Sequence, residues 1–171
     1  MGAAMKFIDA ASERWHEVTA DDALVPMPTP CAQCLLSPPQ WQAVRTSWPR
    51  GLPVGIVVGN DVDVETVGRD VQSFALIALR FPKWTDGRAY SQARLLRSRY
   101  RYTGELRATG EVLVDMLPLL ARTGFDAVVL RHDQSRAVAE RALAMFAEGQ
   151  YQGDTLVRKP RFRRDPSGST A

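Results

Sequence analysis

Lys83, Asp86, Gly87, Arg88, Tyr90 and Ser91 lie within nine consecutive positions of this chain, and together they have the makings of an anion site. An arginine guanidinium can grip a carboxylate, phosphate or sulfur oxyanion through two parallel N–H bonds, and a lysine ammonium adds a point charge. Gly87 permits close approach of the backbone to a ligand. A helix starting just after it turns free amides and the positive end of its dipole outward. Asp86 and Ser91 would orient the anion, and Arg107 is a second clamp if it points to the same end of the fold. The purely structural alternative has Asp86 capping the helix, Arg88 paired with Asp86, and Lys83 in solvent.

Other chemistry is harder to assemble from these residues. The chain has no G-x-x-x-x-G-K-[ST] phosphate loop, no G-x-G-x-x-G dinucleotide fingerprint, no H-E-x-x-H and no G-x-S-x-G. No nucleotide, metal or iron–sulfur motif is legible, so the cofactor is unknown and no catalytic residue is assigned. Cys31 and Cys34 form a C-x-x-C. Redox use of such a pair wants a helix amino end to favour one thiolate, and zinc wants two more ligands. The sequence shows neither context, and the two are read as incidental thiols. His132 and Asp133 could form a general-base pair, or His132 could be a polar loop residue.

Those residues must be positioned by regular elements, and residues 74–131 alternate β-rich runs with helical stretches in the pattern of a parallel sheet flanked by helices. Strands are expected at 54–58, 74–81, 105–109 and 125–130, with a further short one at Lys6–Ile8. Ser37-Pro-Pro-Gln40 reads as a capping box opening a helix with Trp41, Val44 and Trp48 on its packed face. A helix from Asp61 or Asp63 should bury Val64, Val67 and Val71. The helix over 88–99 should bury Ala89, Ala93, Leu96 and Tyr100, leaving Arg94, Arg97 and Arg101 on the flank or in solvent. Glu105, Arg107 and Thr109 share one face of their strand, which must therefore meet water, an edge or a site. Pro118 fits the first turn of a helix capped by Asp115 and closed by Gly124. The last helix, 135–148, should bury Val138, Ala142, Met145 and Phe146. The fold class is thus α/β, a single domain with a small parallel sheet of about four βα units, either a half-barrel or an open sheet. Four strands cannot close a barrel, so a homodimer that completes one stays open as an alternative.

The 171 residues are 45% apolar, enough for one domain with a real core. The expected division is an irregular segment over 1–34, an α/β domain over 35–149 and a basic tail over 150–171. That tail, Arg158-Lys-Pro-Arg-Phe-Arg-Arg164, supplies much of the +3 net charge and could dock on an acidic protein face. Nucleic acid is not an expected partner, no apolar run is long enough for a membrane, and charges early in the chain point to a cytoplasmic protein.

The runs A-L-I-A-L-R-F-P-K-W-T-D-G-R-A-Y-S-Q-A-R-L-L-R, Y-T-G-E-L-R-A-T-G-E-V-L-V-D and R-T-G-F-D-A resemble a bacterial family known as domain of unknown function 934. The resemblance covers about residues 35–148. Its motifs fall on Phe81, Pro82, Lys83, Asp86, Gly87, Arg88, Ser91, Ala93, Arg94, Leu95 and Arg97. They continue on Gly104, Glu105, Leu106, Arg107, Gly110, Val112, Asp115, Arg122, Gly124, Phe125 and Asp126. The chain departs from the family at Met116, where Gln is common, and at Thr123, where Cys is common. The resemblance implies an oxidoreductase-like or accessory protein of assimilatory sulfate and sulfite reduction. The alternative it leaves is a non-catalytic partner docking on sulfite reductase or another sulfur-assimilation protein.

Overall fold

The computed structural model describes residues 5–9, 13–18, 28–145 and 155. Among these described residues seven strands run in chain order as β1 (Lys6–Phe7), β2 (His16–Glu17), β3 (Cys34–Leu36), β4 (Val54–Val58), β5 (Leu76–Phe81), β6 (Glu105–Gly110) and β7 (Ala127–Val128). Four helices accompany them: α1 (Pro38–Val44), α2 (Arg88–Ser98), α3 (Leu117–Thr123) and α4 (Arg136–Ala144). The strands form one all-parallel sheet in the order β1-β7-β6-β5-β4-β3-β2. Each successive strand from β2 to β7 is laid on the same side of the last, and β1 returns beside β7. That is the winding of a barrel with one unpaired seam, between β1 and β2.

Of the half-barrel and the open sheet offered by the sequence the fold is the α/β half-barrel, with more strands than the four βα units expected. The short strand expected at Lys6–Ile8 forms as β1. The strands not expected, β2 and β3, are two and three residues long, too short to leave a period-2 pattern. They nevertheless complete the sheet, and β2 comes from the stretch expected to be irregular.

The long strands are apolar on one face. Leu36, Ile56, Val58, Ile77, Leu79, Phe81, Leu106, Ala108 and Val128 pack there against Trp41, Ala93, Leu96, Leu117 and Leu120 of the helices. All four helices therefore cover the same, outer face. Leu35, Val57, Leu76 and Ala78 form a second small cluster on the inner face, with Trp15 against it. Gly55 makes room for Trp15, because a Cβ there would stand 3.1 Å from the indole and 2.9 Å from the Leu76 carbonyl oxygen.

The inner face also answers the polar face of β6. Arg107 is buried, its guanidinium donating to Glu105 at 2.6 and 2.9 Å and pairing with Glu13 ahead of β2. Lys6 of β1 adds a fourth member at 3.4 Å from Glu105, and Arg80 of β5 reaches Glu17 of β2 at 2.6 Å. β2 lies at the far end of the sheet order from β6. The pair between Arg107 of β6 and Glu13, just ahead of β2, means that the sheet curls around its interior. Ion pairs cross that interior.

Local chemistry sets the remaining elements. Ser37 and Gln40 make the expected capping box at α1. Val64, Val67 and Val71 are buried as expected, but on two 3-10 turns, Val64–Thr66 and Val71–Ser73, in place of a helix. β-branched residues favour helix poorly, and Tyr100 packs so close to Gly68 that a Cβ there would meet its ring at 2.4 Å. Pro118 sits in the first turn of α3, yet no side chain caps that helix and Asp115 lies in the 3-10 turn before it. Gly124 closes α3 in the left-handed conformation at φ 101°.

Two further expectations need correcting. Arg97 is buried, because one guanidinium satisfies three carbonyls and a carboxylate beneath the end of α2. On α4 the buried position is Ala139, with Ala142 and Leu143 beside it, whereas Val138 and Met145 are 42% and 80% exposed. In its first turn Arg136 lies over the Phe7 ring of β1. Phe146 and the basic tail lie outside the described residues.

Candidate functional site

The carboxyl ends of the strands carry the polar loops, as expected for a parallel sheet covered by helices. Residues 82–87 leave β5, and residues 59–63 leave β4. The two loops meet through Asn60, whose amide donates to Asp86 Oδ2 at 2.6 Å. Asp86 receives the Nε and Nη2 hydrogens of Arg88 at 3.0 and 2.7 Å, and its Oδ1 accepts from the Arg88 backbone N–H at 3.1 Å. Asp86 therefore takes the place at the amino end of α2 that the sequence reading offered to an external anion. A carboxylate two residues away in the chain is always at hand, and it uses the same free amide and guanidinium fork. The Asp86–Arg88 pair and the solvent-facing Lys83 of the structural alternative are both present, while the cap position of α2 is Gly87.

The Arg88 guanidinium, then its backbone N–H, hold the Asp86 carboxyl down at about 2, against an ordinary value of 3.8. A group depressed on folding contributes stability that is complete above its unfolded value and fades as the pH falls through its folded one. Titration of the carboxylates by NMR should therefore find Asp86 with a midpoint near 2. A midpoint at the ordinary Asp value would mean that the Asp86–Arg88 fork does not form in solution.

Gln92 extends the rim inward. Its amide donates to the carbonyls of Gly59 at 2.8 Å and Val62 at 2.7 Å, which fixes its orientation. Its buried Oε1 has no donor among the described residues. Asn60 and Gln92 were not singled out from the sequence. They lie 26 and 33 residues from their partners, and only the pairing of β4 with β5 unites them.

The other expected site residues scatter. Lys83 and Ser91 are exposed, and Gly87 has an ordinary φ of −85° with room for a Cβ. Arg107 points away from Arg88 into the ion cluster with Glu105 and Glu13. Tyr90 turns inward, its ring 5.1 Å from that of Phe81, and burial raises its hydroxyl above the usual range. At the next carboxyl ends Arg131 bridges Glu111 and Asp133, each at 2.7 Å. That bridge holds Asp133 well below the ordinary carboxylate range and leaves His132 exposed beside it. Trp84 stands 56% exposed at the tip of the β5 loop, between Lys83 and the Asp86–Arg88 pair.

A family model described as a bacterial protein of unknown function (DUF934) matches residues 55–162. The chain belongs to this family. No curated protein gives a significant match. Within the DUF934 region the motif residues divide by physical role. Arg97, Gly104, Gly124 and Asp126 converge in one knot, where Arg97 donates to the Tyr102, Gly104 and Gly124 carbonyls and pairs with Asp126. Added Cβ atoms at Gly104 and Gly124 would stand 2.3 Å from the Tyr102 hydroxyl and 2.7 Å from Arg97 Cγ. Those residues hold the fold together at the end of α2. Pro82, Lys83, Asp86 and Arg88 lie on the rim, with the exposed motif residues Gly87 and Ser91 beside them.

The amino end of the sheet holds a second group that the sequence reading left apart. His16 Nε2 lies 3.5 Å from Cys31 Sγ and 3.7 Å from Cys34 Sγ, and the two sulfurs are in contact. His16 opens β2 and Cys34 opens β3, so their proximity follows from the parallel pairing of those strands. The C-x-x-C was legible, but nothing in the spacing marked His16 as its neighbour. This cluster precedes the DUF934 match.

Proposed function

We propose that this protein is an accessory component of assimilatory sulfate and sulfite reduction that docks on a larger partner through the loop over 82–87. The observation that carries the reading is the exposed Trp84, set between Lys83 and the fixed Asp86–Arg88 pair. Tryptophan and arginine are the side chains that most often carry the binding energy of an interface, and an arginine already held by a carboxylate loses little freedom on docking. The family resemblance supplies the sulfur pathway, and sulfite reductase or another sulfur-assimilation protein is the partner it implies. Association of the full chain with purified sulfite reductase should be measurable by interferometry. Trp84→Ala should weaken it by about a hundredfold, the loss typical of a central interface tryptophan. The melting temperature should stay unchanged. No association, or an association indifferent to Trp84→Ala, would sink the proposal.

A second reading, binding of a small oxyanion at the same rim, is favoured by one feature. Asp86 occupies only the Nε and Nη2 hydrogens of Arg88, whose side chain is 59% exposed next to a solvated Lys83. Under this reading sulfite, sulfate or phosphate should raise the melting temperature of the wild type and leave Arg88→Ala unmoved. Arg88→Ala by itself should change stability little, since a solvent-screened exposed pair contributes little.

A further inference from the structure

Beyond the rim, we infer that His16, Cys31 and Cys34 form a redox site that exchanges electrons with thiols and disulfides. The inference is independent of the docking proposal and concerns the opposite end of the strands. Three observations carry it. The Cα atoms of Cys31 and Cys34 are 5.8 Å apart, within the span a disulfide bridges without backbone movement. Gln33 between them holds φ at 62°, an uncommon conformation for a residue other than glycine, and this left-handed step belongs to the turn that folds Cys31 back over Cys34. Neighbouring strands fix the turn, with the Gln33 N–H donating to the Pro53 carbonyl at 3.0 Å and its carbonyl accepting from the His16 N–H at 3.1 Å. The third observation is the imidazole of His16, within 3.7 Å of both sulfurs.

The exposures assign the roles. Cys34 is fully buried at the start of β3, whereas Cys31 is only partly covered and His16 is exposed. Cys31 is therefore the attacking sulfur, Cys34 the resolving one, and His16 the base that takes the Cys31 proton and leaves a thiolate beside an imidazolium. In the forward direction the Cys31 thiolate attacks one sulfur of a partner disulfide. A Cys31–partner bond forms, the partner S–S bond breaks, and the first partner thiolate leaves with the proton held on His16. The Cys34 sulfur then attacks Cys31 Sγ, its own proton passing by way of His16. The Cys31–Cys34 bond forms as the second partner thiol departs. Two electrons have moved from the pair to the partner, and the reverse sequence oxidises a partner dithiol.

The same three side chains could instead hold a metal ion, since their donor atoms lie within 4.8 Å of one another. Among the described residues no fourth ligand completes a closed zinc site.

The test uses the full chain equilibrated in glutathione and in dithiothreitol redox buffers, quenched in acid, alkylated and weighed by mass spectrometry. Both thiols should appear and disappear together in a single two-electron transition. Limiting iodoacetamide should label Cys31 first, and faster than free cysteine. His16→Ala should slow that labelling about tenfold with an unchanged circular dichroism spectrum. Cys34→Ser should trap a mixed disulfide with glutathione at Cys31, which keeps the assignment testable if His16→Ala fails to fold. A pair that stays reduced in oxidised glutathione would overturn the inference, as would labelling indifferent to His16→Ala. Titration with zinc alone supplies the other contrary outcome, in which one equivalent binds and blocks both thiols.

Discussion

Arg97→Met should lower the stability of the protein by about 3–5 kcal/mol, the cost of leaving the partners of a buried ion pair uncompensated. The arginine side chain is 7% exposed and lies 5.4 Å from the centre of the Tyr102 ring. It donates to Gly124 O at 2.9 Å, Tyr102 O at 2.6 Å and Gly104 O at 3.0 Å, and pairs with Asp126. Asp126 in turn accepts from the backbone of Leu106 at 2.8 Å. A single guanidinium thus joins the end of α2 to the approaches of β6 and β7. Methionine fills much of the volume but supplies no donor, and three carbonyls lose their partner together. Lysine should rescue little, because a point charge cannot reproduce the planar fork. Urea denaturation should show the midpoint falling with the slope unchanged. A loss below about 1 kcal/mol, the level of an ordinary exposed pair, would mean that the knot is not formed in solution.

Arg107→Met should cost less, about 2–3 kcal/mol at neutral pH, since the two stranded carboxylates keep some contact with water. Glu13 and Glu105 have side chains 19% and 21% exposed. Without the guanidinium they face one another across the half-barrel interior, with Lys6 3.4 Å from Glu105 and the Trp15 backbone N–H 2.8 Å from Glu13. Two carboxylates left at close quarters in a partly covered interior, without the cation between them, are uncompensated. Adding Glu13→Gln should therefore recover part of the loss, read as the urea midpoint at neutral pH. A double variant no more stable than Arg107→Met would show that Arg107 acts through packing alone.

These two arginines also show how far the sequence could be read. Arg107 announced itself, because a charged residue alternating with Glu105 and Thr109 on a parallel strand demands an explanation, and the explanation proved to be the ion cluster of the inner face. Arg97 lies in the last turn of α2, directly after Leu96, at a helical angle compatible with either burial or solvent. Its residue type argued for solvent, and only the carbonyls converging beneath it reverse that. The rim was legible as a loop of unusual polarity but not as a geometry. Asp86 could cap its own helix or orient a ligand, and the hydrogen bond it receives from Asn60 of the β4 loop has no signal in the local sequence.

Local signals by themselves determined the α/β class, the long strands β4, β5 and β6, the capping box of α1 and the glycine stop of α3. Each depends on neighbours within a few residues, so short-range sterics and hydrogen bonding specify it. The tertiary structure decided how many strands the sheet has, which arginines are buried and that His16 stands over Cys31 and Cys34. Strands of two or three residues have no period to read. They form because the edges of a longer sheet offer them unpaired amides and carbonyls, and that template exists only once the chain has folded.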